Sequence, residues 1–281
     1  MKKLLYALCL LLTLAACHLP KDAKPLVARW SSAMPASHEE QADGRRGATA
    51  DTMALPAALT DRPEQILRRA GYTVSYNRAT LLPNWVAWHL TAAHTEGPYK
   101  RQGIAFSADD EVPEPRADTY DYQRSGYDRG HMCPSADNRW SQEAQRDCFL
   151  LTNICPQLHA LNDGDWRILE EQCRSWARRW GDLYIVCGPV LTRQRHRRIG
   201  QHRVTVSEAF FKVIVCLNGT PRGIGFIYRN ERGRHPQAEY VNSIDEVERI
   251  TGIDFFASLP DDVEDQVERT ARLADWQQSR Q

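Results

Sequence analysis

The chain has 281 residues, long enough for one large domain or two small ones with an ample core. Its 36 lysines and arginines balance 36 aspartates and glutamates, so overall charge identifies neither a nucleic-acid nor a membrane partner. Any such partner has to be read from local pattern.

The N-terminal "MKKLLYALCLLLTLAAC" carries two lysines, an apolar run from Leu4 to Leu14, and Ala-Ala-Cys. The run is too short to span a bilayer and fits the core of a signal peptide over residues 1–16. Its ending resembles a bacterial lipobox, which implies cleavage before Cys17 and lipid attachment to that sulfur. The alternative is an ordinary secretory signal in which Cys17 has no role. Both readings export the chain. Lipidation adds a membrane anchor, and His18, in place of an aspartate, points to the outer membrane or the cell surface. Residues 17–64, rich in Ala, Pro, Ser and mixed charge, read as the lipidated N-terminus and a flexible tether.

A single α+β domain is expected over residues 65–260. "YTVSYN" and "NWVAWHLT" alternate like strands, and the stretch from Gly97 to Asp121 reads as loop. "GYDRGHMCPSADNRWS" then concentrates acid, cation, imidazole and thiol with neither helical nor strand periodicity. "CFLLTNICPQ" reads as a buried strand broken by Pro156. "LHALNDGDW" turns into a helix whose Trp166, Leu169, Cys173, Trp176 and Trp180 fall on one face, with Asn162 or Asp163 able to cap it. "DLYIVCGPVL", "FFKVIVCLN" and "RGIGFIYRN" supply three more strands. "SIDEVERITGIDFF" is a helix with capping-box spacing at Ser243 and Glu246 and a stop at Gly252. Residues 261–281 form an acidic, mildly helical tail, expected to be peripheral. Pro189 to Ser207 contains no acid but includes Arg193, Arg195, Arg197, Arg198 and Arg203; it reads as a solvated basic loop or a phosphate-binding surface. Once Cys9 and Cys17 are set aside, six cysteines remain: Cys133, Cys148, Cys155, Cys173, Cys187 and Cys216. They allow fifteen pairings; Cys187 and Cys216 also read as buried free thiols.

The chemistry concentrates around His131. A strand ending at His131, a second ending near Asn153 and a helix starting near Asn162 would aim an imidazole and an amide oxygen at one point. A near-neutral histidine can take a proton from water, an asparagine oxygen suits Mg²⁺, and arginine binds phosphate in bidentate fashion. Taken singly, each has a plainer reading: a structural histidine, a helix-capping asparagine.

Taken together, "DRGHMCPSADNRWS", "LLTNICPQ", "LNDGDWRILEE", "LYIVCGPVL", "VSEAFFKVIV" and "GFIYRN" resemble the DNA/RNA non-specific endonuclease family. The likeness continues through "SIDEVERITGIDFF" and upstream to "NWVAWHL" and "KRQGIAFSADDEV", covering roughly residues 70–260 in order. It implies the ββα-metal (His-Me finger) fold, with a central antiparallel sheet flanked by helices. It also implies hydrolysis of DNA and RNA without sequence preference, dependent on Mg²⁺ with Mn²⁺ as a substitute. By position, His131 matches the general base, Asn162 the direct Mg²⁺ ligand, and Glu170 the acid that helps hold the hydrated ion. Arg129 matches a cation on the phosphate or transition state, Arg101 an upstream arginine on the leaving side, and Asn153 a support around the histidine. Asp128 is expected to brace local backbone. Glu170 lies eight residues past Asn162, about 12 Å along a regular helix, so the two share an ion only if Asn162 precedes the regular turns or waters bridge. A homodimer is compatible with the resemblance, which leaves oligomeric state open. A nucleic-acid-binding lipoprotein and a small-molecule phosphodiesterase on the same fold are the alternatives.

Overall fold

The strand-like segments assemble into one seven-stranded antiparallel sheet. The structure, a computed structural model, describes residues 51–233 and 235–277. The signal peptide and Cys17 lie outside the described residues. Strands β1 (Gln65–Arg68), β2 (Thr73–Asn77), β3 (Leu82–Leu90), β6 (Leu183–Val190), β9 (Ala209–Cys216), β10 (Arg222–Arg229) and β11 (Val241–Asn242) lie side by side in that order. A separate pair, β4 (Asp128–His131) and β5 (Ile154–Gln157), runs antiparallel with His131 opposite Ile154. Between them falls α1 (Gln142–Asp147), and after them comes α2 (Arg167–Trp180). A two-residue pair, β7 (Arg198–Ile199) with β8 (Val204–Thr205), closes the basic segment.

Both faces of the sheet are buried, which is why β9 is apolar almost throughout. Phe210 and Ile214 point to one side, where they join Trp88, Ile185 and the Trp166, Leu169, Cys173 and Trp176 face of α2. Phe211, Val213 and Val215 point to the other, against α3 (Ile244–Thr251), α4 (Asp261–Glu268), Phe255 and Phe256. Successive strand residues face opposite ways, so this alternation sorts each side chain to a layer. Ser243 accepts a hydrogen bond from Glu246 N at 3.1 Å, and Gly252 ends α3 with φ 67°. The cap and stop thus fall where the sequence puts them.

Four expectations need correction. Residues 51–64 are not tether: Ala54 is buried with Trp85 and Val186, and Met53, Leu55 and Leu59 pack on the same cluster. The tail is not peripheral either. α4 buries Val267 on the back of the sheet, and α5 (Leu273–Gln277) carries Trp276 round to Trp176, with ring centroids 4.9 Å apart. Pro156 does not break its strand but sits inside β5 opposite Arg129, tolerated because β5 is paired on one side only. Asn153 precedes β5 rather than ending a strand, in a 3₁₀ turn over Leu151–Asn153. All six described cysteines are buried and unbonded.

The docking of α4 on β10 depends on the missing side chain at Gly223. A Cβ there would lie 2.1 Å from Val267 O and 2.8 Å from Ile244 Cδ1. Gly223→Ala is therefore expected to lower stability by about 1–3 kcal/mol, as overpacking does, read as an earlier urea midpoint with unchanged slope. An unchanged midpoint would mean that α4 is not seated on β10.

Candidate active site

β4 ends at the mouth of an open cleft of about 570 Å³, whose lining includes Arg101, Arg129, His131, Asn162, Glu170 and Arg174. The His131 ring is wedged against Phe106 and Phe149, at centroid distances of 5.2 and 5.0 Å, and Trp166 Nε1 donates to its carbonyl at 3.2 Å. Nε2 is enclosed and has no hydrogen-bond partner. His131 lines the cleft, and with Nε2 enclosed, Nδ1 is by elimination the nitrogen assigned to it. Burial, aided by the nearby Arg101 charge, pulls the imidazole pKa down to about 3. The ring is therefore neutral at physiological pH. For Nδ1 to carry the free lone pair, the proton must sit on Nε2.

Asn162 sits in a wide, π-type turn over Leu161–Trp166, interrupted at Gly164 (φ −110°, ψ −118°), before the regular turns of α2 begin. Neither Asn162 nor Asp163 caps the helix. Asn162 Nδ2 instead donates to Asp128 Oδ2 at 2.9 Å, and Asp163 Oδ1 accepts from Arg167 at 3.1 Å. A carboxylate only accepts, so the Asp128 bond fixes which end of the amide is which and turns Oδ1 away from it. Asp128 also holds His159 Nδ1 at 2.7 Å. It orients side chains rather than bracing backbone, which corrects the sequence reading. Because Asn162 precedes the regular turns, the 12 Å objection to Glu170 lapses, and both line the same cleft.

Burial raises Glu170 to about 7, against an opposing pull from Lys212. An all-oxygen pair, one neutral amide and one carboxyl, with space for water fits a hard divalent cation that keeps most of its hydration shell. The residues present thus suit such an ion.

Asn153 is fully committed to the protein. Its Oδ1 accepts from Cys133 N, and its Nδ2 donates to the carbonyls of Cys133 and Cys148, all at 2.9 Å. It clamps the loop after His131 and is buried away from the cleft. Arg129 lies across the rings of Phe106 and Tyr122 and donates to Thr119 O at 2.7 Å. Arg101 is exposed at the rim, over Phe149. Among the lining cations, Arg167 and Arg174 are paired with carboxylates. Lys100, Arg101, Arg129 and Arg139 make no ion pair among the described residues, so the cleft carries net positive charge.

Sequence reasoning missed the groups behind the site. Lys212 on β9 is fully buried, its Nζ 4.4 Å from the Trp166 ring centroid and 5.4 Å from that of Trp88. Asp137 accepts from Arg174 at 3.0 Å and from Trp88 Nε1 at 3.2 Å. The available signal was a lone lysine flanked by Phe210 and Ile214 on the same strand face.

Comparisons with known proteins identify the family and the fold. Residues 50–262 match the DNA/RNA non-specific endonuclease family. The chain is 32% identical to the mitochondrial nuclease EXOG of Homo sapiens over 67% of its own length and 56% of that protein. It is 31% identical to mitochondrial endonuclease G of Bos taurus, covering 69% and 70%, and 33% identical to a nuclease of Nostoc sp., covering 76% and 81%. The matched region spans 56–60% of the length of the vertebrate EXOG relatives. In fold it is similar to a chain of the crystal structure of the EndoG/EndoGI complex, with TM-score 0.71 and 25% identity over 79% of this chain and 95% of that one. The β4–β5–α2 unit with its large antiparallel sheet is accordingly a ββα-metal architecture, and the chain belongs to the DNA/RNA non-specific endonuclease family.

Proposed function

We propose that the chain is an exported, Mg²⁺-dependent endonuclease that hydrolyses phosphodiester bonds of DNA and RNA regardless of sugar. The observation that carries this reading is the convergence of a neutral imidazole and an amide oriented by Asp128 on one basic cleft. His131 Nδ1 takes a proton from water attacking phosphorus. Asn162 Oδ1, with Glu170 of the same cleft, would hold Mg²⁺, which supplies Lewis-acid stabilisation of charge developing on the phosphate. Arg129, fixed by Thr119 O and two rings, meets the phosphate oxygens. Arg101 at the rim serves the leaving side. Contacts confined to phosphate carry little sequence information, which suits non-specific cleavage.

Plasmid DNA, RNA and a small phosphodiester, each incubated with and without EDTA, separate the readings. EDTA-sensitive cleavage of both polymers supports the proposal. Cleavage of the small diester alone would favour a phosphodiesterase, and binding without cleavage a nucleic-acid-binding protein. His131→Ala is expected to fold and to lose roughly 10²–10⁴ of kcat; a near-parental rate would remove it as base. Asn162→Ala should shift the Mg²⁺ titration upward. Asp128→Ala should do the same through Asn162, by about 10–100-fold, as loss of an orienting partner does.

The neutral His131 gives a pH signature. Its folded pKa lies below the ordinary value of about 6.5, so the unfolded chain takes up the proton first as pH falls. The stability this residue contributes is complete above about pH 6.5 and is lost progressively from there toward pH 3. In metal-free protein the His131 ring resonances are expected not to titrate between pH 8 and pH 5. A midpoint near 6.5 would show that the ring is solvated.

Export and anchoring rest on the N-terminal sequence. No described helix is long and apolar enough to cross a membrane; the lipobox-like ending is what supports a lipid on Cys17 as the anchor. Cys17→Ser should release active protein from the membrane fraction into the soluble one. Retention of the variant in membranes would overturn the lipid anchor.

A further inference from the structure

On the sheet face opposite the cleft, α3 and α4 meet over β10. Their junction gathers Asp245 from the first turn of α3, Glu248 from its next turn, and Glu268 from the end of α4. One carboxylate oxygen of each lies within 4.8 Å of the other two. Proximity alone would not make this a site. Glu268, however, is only 7% exposed, and its Oε1 is enclosed with no hydrogen-bond partner. The protein leaves a buried acidic oxygen unsatisfied within a group of acids.

Among the described residues no cation pairs with it. Glu268 sits at the C-terminal end of α4, where the backbone carbonyls already present negative potential, and that turn holds no basic residue. Arg269 is engaged with Asp265 in solvent. Glu248 Oε1 accepts from Phe255 N at 2.7 Å, leaving its second oxygen for the cluster. Burial is the main influence on Glu268, followed by Glu248, Glu264, Asp245 and Asp254; all act in one direction and push it up to about 9. Glu248 is likewise pushed up to about 7, first by burial. Either protons or a cation must resolve that repulsion.

The donor set selects the cation. Oxygen ligands without thiol or imidazole suit a hard ion. Two oxygens each about 2.4 Å from one Ca²⁺ stand at most about 4.8 Å apart, and the three here meet that bound. Mg²⁺ demands a near-ideal octahedron of shorter bonds, whereas Ca²⁺ accepts irregular carboxylate sets. We propose that Asp245, Glu248 and Glu268 bind one Ca²⁺ ion that staples α3 to α4 on the back of the sheet.

The test reads binding rather than cleavage, so its failure is separate from failure of the nuclease reading. Full-length chain carrying Asn162→Ala, to weaken the cleft's own hold on metal, is stripped with EDTA and dialysed against CaCl₂. One Ca²⁺ per chain is expected, with the thermal midpoint rising by roughly 5–10 °C at about a hundredfold excess over Kd. Adding Glu268→Gln should raise the midpoint in EDTA, because a buried acid among acids is removed, and should abolish the response to Ca²⁺. Adding Asp245→Asn, on an exposed residue that the fold does not depend on, should weaken Ca²⁺ binding at least tenfold. MgCl₂ at equal concentration should give the smaller shift. No bound Ca²⁺, a larger shift with Mg²⁺, or Ca²⁺ binding unchanged by both substitutions would overturn the proposal.

Discussion

A single buried charge constrains much of the architecture around the cleft. Lys212 points from β9 into the layer shared with α2, with no hydrogen-bond partner and indole rings on two sides. Removing an ammonium from water is costly unless anions accompany it. Burial works against its charge, but Cys187, Cys173, Glu170 and Asp137 outweigh it and the net effect is upward. Near neutral pH the thiols are uncharged, so Glu170 and Asp137 are the companions that matter. Asp137 is in turn held by Arg174 and Trp88. That attraction acts together with the apolar face of α2 on its rotation: Glu170 and Arg174 are one turn apart, and both bear electrostatically on the layer that holds Lys212. The Glu170 carboxyl lining the cleft is thus coupled to a charge on the sheet beneath it.

The cleft's other half depends on a break in helical geometry. Had Asn162 continued a regular helix into Glu170, the two would stand too far apart to serve one ion. Instead Asn162 lies in the wide turn interrupted at Gly164, both residues line the same cleft, and Asp128 on β4 ties the turn back to the strand that carries His131. Asn153 performs the matching task on the other side by clamping the carbonyls of Cys133 and Cys148. The strand pair β4–β5 has little sheet of its own, and these side-chain bonds hold it in place.

The elements that were legible in the sequence are those whose pattern follows from packing. Leu169, Cys173 and Trp176 recur at helical spacing because one face of α2 is core, and Ser243 and Gly252 mark an amphipathic helix with its own local signals. What escaped were features set by long-range partners. A lysine in "FFKVIVC" gives no hint that tryptophans from β3 and the turn before α2 will enclose it. "LNDGDW" reads as a capped helix start, because no local rule announces that Asp128, thirty-four residues earlier, takes the amide. The acidic tail looks solvated because its charges outnumber its apolar residues, yet buried Val267 and Trp276, with Val263, Ala271 and Leu273 packed beside them, seat two short helices. The six site residues named from family likeness fall in two groups. His131, Arg129, Arg101, Asn162 and Glu170 converge on the cleft, and Asn153 stands behind it.

A base whose pKa is near 3 looks poorly suited to abstracting a proton near neutrality, since efficiency favours a match to ambient pH. The value belongs to the free protein, where the ring is enclosed by Phe106 and Phe149 and faces Arg101. In the reaction proposed above, a phosphodiester entering the cleft would bring negative charge next to the ring and engage that arginine. Both changes favour the imidazolium and move the pKa upward. Under the proposed reaction the ring is neutral while the cleft is empty and gains basicity as the anionic substrate arrives. Such an arrangement ties proton affinity to substrate occupancy: the apolar wedge keeps the base unprotonated, and the phosphate supplies the charge that lets it hold a proton.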